Sequence, residues 1–210
     1  MPVDRPLYPV NLLVAGKPCL VLGGGQVALQ KVSTLLDAAA EVTVVAPEID
    51  SRIAALGVVC QRRRYRSPEA ASYRLVLAAT GDPAVNQQVY EDAEAAGVWV
   101  NSADDPDRCS FTLPAQLRRG RLTVTVSTGG HSPAVSAWLR QRLDAEIGPE
   151  YDTLIGVLAD VRQEVQASGR GTETLDWRGA LDSGILDLVR ADRLEDAKEH
   201  LRACLLSSSD

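Results

Sequence analysis

The sequence predicts an α/β fold whose first half is a parallel sheet covered by helices. Three observations carry this. Short apolar runs alternate with helical periods, a pattern that implies right-handed crossovers between parallel strands. Aromatic residues make up only 4% of the 210 residues while apolar residues make up 45%, so the core must be filled by Val, Leu, Ile and Ala, the usual filling of parallel sheets. Three consecutive glycines, Gly23, Gly24 and Gly25, close the first apolar run.

Cys19–Leu22 reads as a buried strand, and Ala28, Val32, Leu35 and Leu36 recur at helical spacing after the glycines. Val42–Val45 is a second strand, Ile53 to Leu56 part of a short helix, and Val58–Val59 the start of a third strand. Leu75–Ala79 is the fourth, Val85, Val89, Ala93 and Ala96 line a helix, and Val98–Val100 is the fifth. The pattern changes after residue 114. Residues 121–127 alternate with period two, as in a strand with one covered face, and no partner for it is evident in its own chain. Ser132–Pro133 starts a helix, the hydroxyl capping free amides and proline taking the first helical position. Beyond Tyr151 only helical periods remain: Leu154 to Val165, then Leu181, Ile185 and Leu188, then Leu194 to Leu205, with residues 168–171 as a loop. Domains are accordingly expected at 1–114, 115–150 and 151–210.

Composition narrows the function. A formal charge of −6 argues against a nucleic-acid binder, since neutralising phosphates needs a basic face. The four cysteines, Cys19, Cys60, Cys109 and Cys204, form no C-x-x-C pair, so neither a zinc site nor a disulfide framework is expected, and a reducing, cytoplasmic setting fits. The first residues show no signal pattern, and no apolar run reaches the roughly 18 residues of a membrane span.

Gly23, Gly25 and Ala28 stand at the three positions of a dinucleotide fingerprint, between a strand and an amphipathic helix. Such a turn lets backbone approach a pyrophosphate and offers free amides at a helix N-terminus. In isolation the motif is weak and fits a plain strand-to-helix turn; the flanking elements favour a Rossmann-like nucleotide site. The acid expected about 20 residues on, at the end of the second strand, is missing. Ala46 and Pro47 occupy that end, and Glu48 is the first carboxylate, readable equally as a solvated charge. NAD is favoured over NADP because no arginine sits there to meet a 2′-phosphate. Asp82 before Pro83 reads as a helix cap. Asp104 and Asp105, after the fifth strand, are either a base beside the nicotinamide or a plain turn before Pro106.

At this point the residues resemble a known family. Gly23–Ala28 with Lys31, Ala78–Thr80 with Asn86, Asn101 with Asp104, Ser110–Phe111 and Pro114, and Ser127–Gly130 with Ser132–Pro133 are similar, in order from about Tyr8 to Glu150, to the precorrin-2 dehydrogenase and sirohydrochlorin ferrochelatase family, the dehydrogenase–chelatase module of siroheme synthase. The resemblance implies NAD-dependent oxidation of precorrin-2 to sirohydrochlorin, in many members insertion of Fe²⁺ to give siroheme, and a homodimer. It implies Asp104 as the residue serving both reactions, and dinucleotide contacts at Gln26, Val27, Pro47 and Glu48, with Thr80 and Asn101 at the same strand ends.

One carboxylate serving twice is chemically coherent, because dehydrogenation releases a proton and metal insertion strips two pyrrole protons. The substrate's eight carboxylates make local positive charge useful. Arg118, Arg119 and Arg121 are the candidate contacts, against a reading as a solvated hairpin turn; Arg62, Arg63, Arg64 and Arg66 read as a solvated sheet edge. Thr128, Gly129 and Gly130 expose amides before a helix and are candidates for a substrate carboxylate. His131 is a candidate iron ligand, weakened by the lack of a second His or Cys nearby. Cys109 reads as a small buried hydrophobe. The rival is an NAD-sensing regulatory domain, which would not need the segment from Asn101 to Pro133 in this form. With no methyltransferase domain following, precorrin-2 is expected from another protein.

Overall fold

The computed structural model describes residues 6–103 and 105–207. The chain forms two compact units, one running to Leu113 and including Gly129–Ser132, the other made of Pro114–Thr128 and the residues from Pro133 on.

The first unit holds a five-stranded parallel sheet of β1 (Pro18–Leu22), β2 (Glu41–Ala46), β3 (Val59–Arg62), β4 (Leu75–Ala78) and β5 (Trp99–Ser102) in the order β3-β2-β1-β4-β5. β1, β2 and β4 read as largely apolar runs because both of their faces are covered. Cys19 and Val21 of β1, Val42 and Val44 of β2, and Leu75 and Leu77 of β4 pack with Ala28, Val32 and Leu35 of helix α1 (Gln26–Asp37). The alternate residues Leu20, Leu22, Val45, Val76 and Ala78 pack instead with Val89 and Ala93 of α3 (Pro83–Ala95). A four-residue helix, α2 (Ser51–Ala54), follows β2 and buries Ile53. In the register, Val45, Leu22, Ala78 and Ser102 share one row, so the carboxyl ends of β2, β1, β4 and β5 form one edge. The strand order reverses between β1 and β4, and there a doubly wound sheet opens a crevice for ligands.

In the second unit β6 (Ala115–Arg119) pairs antiparallel with β7 (Leu122–Val126), from Ala115 against Val126 to Arg119 against Leu122. This corrects the expectation that the alternating strand has no partner in its own chain. The partner escaped notice because Leu117 is the one fully buried apolar side chain in Ala115–Arg119, too little for a visible alternation. Helices α4 (Pro133–Glu146), α5 (Glu150–Ala167), α6 (Trp177–Asp182), α7 (Ile185–Arg190) and α8 (Leu194–Ser207) complete the unit. Leu154, Val157, Val161, Ile185, Leu201 and Leu205 form its apolar core.

The helix expected from Leu181, Ile185 and Leu188 is broken in two. Gly184 adopts φ 89°, a left-handed conformation that ends α6, and Leu181 is left 42% exposed. Among the described residues no helix is long and apolar enough to cross a membrane.

Ile185, fully buried, anchors the helical core after this break. Ile185→Ala is expected to lower stability by about 2 to 5 kcal/mol in urea unfolding. Leu181→Ala should change it by no more than about 0.5 kcal/mol. Equal losses would contradict the break.

Candidate dinucleotide site

Helix α1 begins directly at the glycine turn, and no side chain caps its first turn. Its three glycines do different work. A Cβ at Gly23, whose φ is 117°, would run into the carbonyl of Ala79, and one at Gly24 would run into the carbonyl of Glu48. A Cβ at Gly25 would meet nothing within 4 Å. The first two are therefore needed by the fold, which draws the ends of β1, β2 and β4 together. Open space over Gly25, beside uncapped helix amides, is what a pyrophosphate requires. Ala28, fully buried, lets α1 approach the sheet closely.

Around this turn lies a cleft of ≈550 Å³, within the range of ligand pockets. Gly23, Gly24, Gly25, Pro47, Glu48 and Thr80 all line it, so six expected cofactor residues come together. Gln26 and Val27 stand exposed on the first turn of α1 and are outside the lining, as is Asn101. Thr80 donates its hydroxyl to Oδ1 of buried Asn86 (2.6 Å), whose Nδ2 donates to the Thr80 carbonyl (3.2 Å). Asp82 accepts from the amides of Ala84 (3.0 Å) and Val85 (3.4 Å), the helix cap expected of it.

Arg64 and Tyr65 also line the cleft. The sequence places the arginine run at a solvated edge, and β3 is one of the two edge strands. The premise that no arginine lies near the ribose end nevertheless fails, because Arg64 follows β3, paired to β2. The pairing of β3 with β2 was the available signal. Tyr65 is pinned, donating to Asp92 Oδ2 (2.6 Å) and accepting from the Ala70 amide (3.2 Å); burial first, then the bond to Asp92, pushes its phenol pKa upward.

After β5 the chain folds back on it. Ser110 N donates to the Val100 carbonyl (2.8 Å), and Asn101 Nδ2 donates to the Phe111 carbonyl (2.9 Å) and to Cys109 Sγ (3.4 Å). Asn101 thus braces this return segment. Cys109 is half-buried rather than buried, accepts from the Ser102 amide (3.3 Å), and has its thiol pKa raised by desolvation. Asp105 pairs with Arg108, which also donates to Gln87. Among the described residues the buried hydroxyl of Ser102 has no hydrogen-bond partner. Asp104 lies outside the described residues.

In the second unit Arg119 donates to Asp144 Oδ1 (2.6 Å) and the Ile147 carbonyl (2.9 Å), tying β6 to the end of α4. Arg121 donates from its amide (2.8 Å) and Nε (3.0 Å) to Asp152 Oδ1, tying the hairpin to α5. Both guanidinium groups are thus engaged within the chain, and Arg118 is exposed. Thr128 Oγ1 lies 3.2 Å from Ser136 Oγ, and Gly129 and Gly130 have φ of 59° and 79°. His131 is exposed, and among the described residues no group of three or more His, Cys, Asp or Glu side chains could hold a metal ion.

Fold and cleft define a dinucleotide-binding Rossmann-type protein. A family described as "Putative NAD(P)-binding" matches residues 10–115, and one described as "Sirohaem biosynthesis protein central" matches residues 119–146. The siroheme synthase of Nitrosococcus oceani is 36% identical over 203 residues, 94% of this chain and 43% of that protein. That of Pseudomonas entomophila is 42% identical over 163 residues, 76% and 35%. A solved structure titled "SirC, precorrin-2 dehydrogenase" superposes with a TM-score of 0.72 at 24% identity, covering 93% of this chain and 99% of that one, a likeness of fold. The chain belongs to the family described as putative NAD(P)-binding. It spans about two-fifths of the length of the siroheme synthases that align with most of it.

The glycines separate fold from binding. Gly24→Ala should lower stability by about 1 to 3 kcal/mol, since backbone must move to admit the methyl. Gly25→Asp should leave thermal unfolding nearly unchanged yet weaken NAD on the order of a hundredfold, because like charges brought together cost several kcal/mol. Unchanged affinity in calorimetric titration of a folded Gly25→Asp protein would sink the assignment.

Proposed function

We propose that this chain oxidises precorrin-2 to sirohydrochlorin with NAD in siroheme synthesis, and that it also inserts Fe²⁺ into the product. The observation that carries the reading is the cleft at the β1–β4 reversal, with open space over Gly25 and an uncapped helix start, in a chain aligned over 94% of its length with a siroheme synthase. The residues that would hold NAD are Gly23, Gly24 and Gly25 under the pyrophosphate, Pro47 and Glu48 at the ribose, and Thr80 at the crevice, with Gln26, Val27 and Asn101 flanking. Bound there, NAD would supply the hydride acceptor.

The chain's own part is to take the proton. Asp104 is the second residue in sequence after Ser102, the last residue of β5, which shares a row with the ends of β1 and β4. Its neighbour Asp105 is engaged with Arg108, which disfavours it as a base. Ser102 ends that strand with a buried hydroxyl that meets no hydrogen-bond partner among the described residues, and such a group costs about 1 to 3 kcal/mol until it finds one. Asp104 is then the proton acceptor in oxidation and again when pyrrole nitrogens are stripped for iron, which enters as a substrate. Arg118, Thr128, Gly129 and Gly130 are the preferred contacts for the macrocycle's carboxylates, with Arg119 and Arg121 positioned by their bonds to α4 and α5. His131 stands as a lone candidate for iron.

A homodimer belongs to the same reading. The two-stranded sheet of β6 and β7 has an outer edge on each strand, and Val135 and Trp138 of α4 are 43% and 52% exposed. A cytoplasmic setting agrees with four free cysteines.

Asp104→Ala should fold and bind NAD but lose about two to four orders of magnitude in the rate of NADH formation from precorrin-2. Asp105→Ala should lose much less. The reverse ranking would overturn the residue assignment. Light scattering at micromolar concentration should return the mass of a dimer, and a stable monomer would contradict that part of the reading.

A further inference from the structure

The arginines at and after the end of β3 are not equivalent. Arg62 Nη1 donates to the Ile49 carbonyl (3.0 Å), and Arg63 binds Glu69 through both terminal nitrogens, at 2.8 and 2.5 Å. Arg52, on α2, is clasped by Asp50 (2.6 Å). Arg64 is exposed, lines the dinucleotide cleft, and among the described residues its guanidinium meets no carboxylate. Its backbone is held from both sides, because Arg63 Nη1 donates to the Arg64 carbonyl (3.0 Å) and the next residue, Tyr65, is pinned to Asp92 and Ala70.

Its place in the sheet says what this cation faces. The end of the second strand is where the adenosine ribose of a bound dinucleotide falls. Ala46, the last residue of β2, pairs with Arg62, the last residue of β3, so Arg64 lies two residues beyond that end in the segment that follows the adjacent strand. Neighbouring strands are about 4.8 Å apart, a gap that an arginine side chain spans. No carboxylate ends β2; Glu48, exposed on the same cleft lining, is two residues further on. The ribose end therefore carries one cation and one anion. A carboxylate accepts hydrogen bonds from a ribose 2′-hydroxyl and repels a 2′-phosphate, whereas a guanidinium pairs with phosphate through two parallel N–H bonds.

Resting on the dinucleotide reading above, we propose that Arg64 holds the 2′-phosphate of the adenosine ribose, so that this cleft takes NADP as well as NAD. Glu48 opposes Arg64, and the balance between them sets the preference.

The test is calorimetric titration of the whole chain with oxidised NAD and NADP in turn, on wild type, Arg64→Ala and Glu48→Gln. Wild type should bind the two within about tenfold of each other. Arg64→Ala should weaken NADP by about tenfold or more, the range of a charge-assisted hydrogen bond, and NAD by less than about threefold. Glu48→Gln should strengthen NADP relative to NAD. Wild type that binds NAD but takes NADP more than about tenfold more weakly would overturn the proposal, as would an Arg64→Ala protein in which both affinities shift by one factor. Failure of wild type to bind either dinucleotide would instead overturn the dinucleotide reading on which it rests.

Discussion

The carboxyl edge of the sheet depends on two places where a side chain is forbidden. Gly23 lies against the Ala79 carbonyl and Gly24 against the Glu48 carbonyl, so the ends of β1, β4 and β2 meet as bare backbone. Backbone bonds reinforce the meeting: Gly23 N donates to the Val45 carbonyl (3.1 Å), Ala79 N to the Leu22 carbonyl (2.7 Å) and Asp50 N to the Gly24 carbonyl (2.9 Å). Because these contacts are satisfied within the protein, Gly25 is left over open space at the start of α1. The protein's own packing thus leaves the helix start open to the cleft, and Thr80, Pro47 and Glu48 line that cleft because the strands they follow are drawn to the same point.

The far end of that edge is organised by a second device. The return segment Cys109–Phe111 is bonded back onto Val100 and Asn101, and Phe111 packs against the apolar layer that covers α1. Asp105 and Arg108 close the intervening turn, which Gln87 of α3 steadies. The described residues on either side of position 104, Ser102 with Ala103 and Asp105 with Arg108, are thus held by bonds within the protein. The helical unit has an apolar core of its own. Its own core of Val157, Val161, Ile185, Leu201 and Leu205 supports it, while Arg119 and Arg121 fasten the β6–β7 hairpin to α4 and α5.

Much of this was legible in the sequence for a physical reason. A parallel sheet buried on both faces needs unbroken apolar strands, so β1, β2 and β4 stood out, and Ala28, Val32 and Leu35 marked the buried stripe of α1. The cap at Asp82 was legible because Asp-Pro at a helix start has few other uses. What escaped notice was set by tertiary pairing. Ala115–Arg119 is a strand because β7 pairs with it, not because its residues alternate. Leu181 and Ile185 are four residues apart and look like one helical face, yet Gly184 turns the chain between them. Arg64 belongs to the cleft only once β3 is laid beside β2, a relation no local pattern contains. The residues drawn together at the glycine turn were legible because each ends or follows a strand on one edge. Arg119 and Arg121 have intrachain partners, Asp144 and Asp152, that lie far along the chain.

A nucleotide-sensing domain would share the cleft but not the chemistry, so binding alone does not separate the two. The discriminating measurement is the near-ultraviolet absorbance of NADH after the wild-type chain, NAD and precorrin-2 are mixed. The account predicts NADH formed in proportion to the precorrin-2 consumed, with sirohydrochlorin as the other product. A chain that binds both NAD and precorrin-2 yet forms no NADH would contradict it.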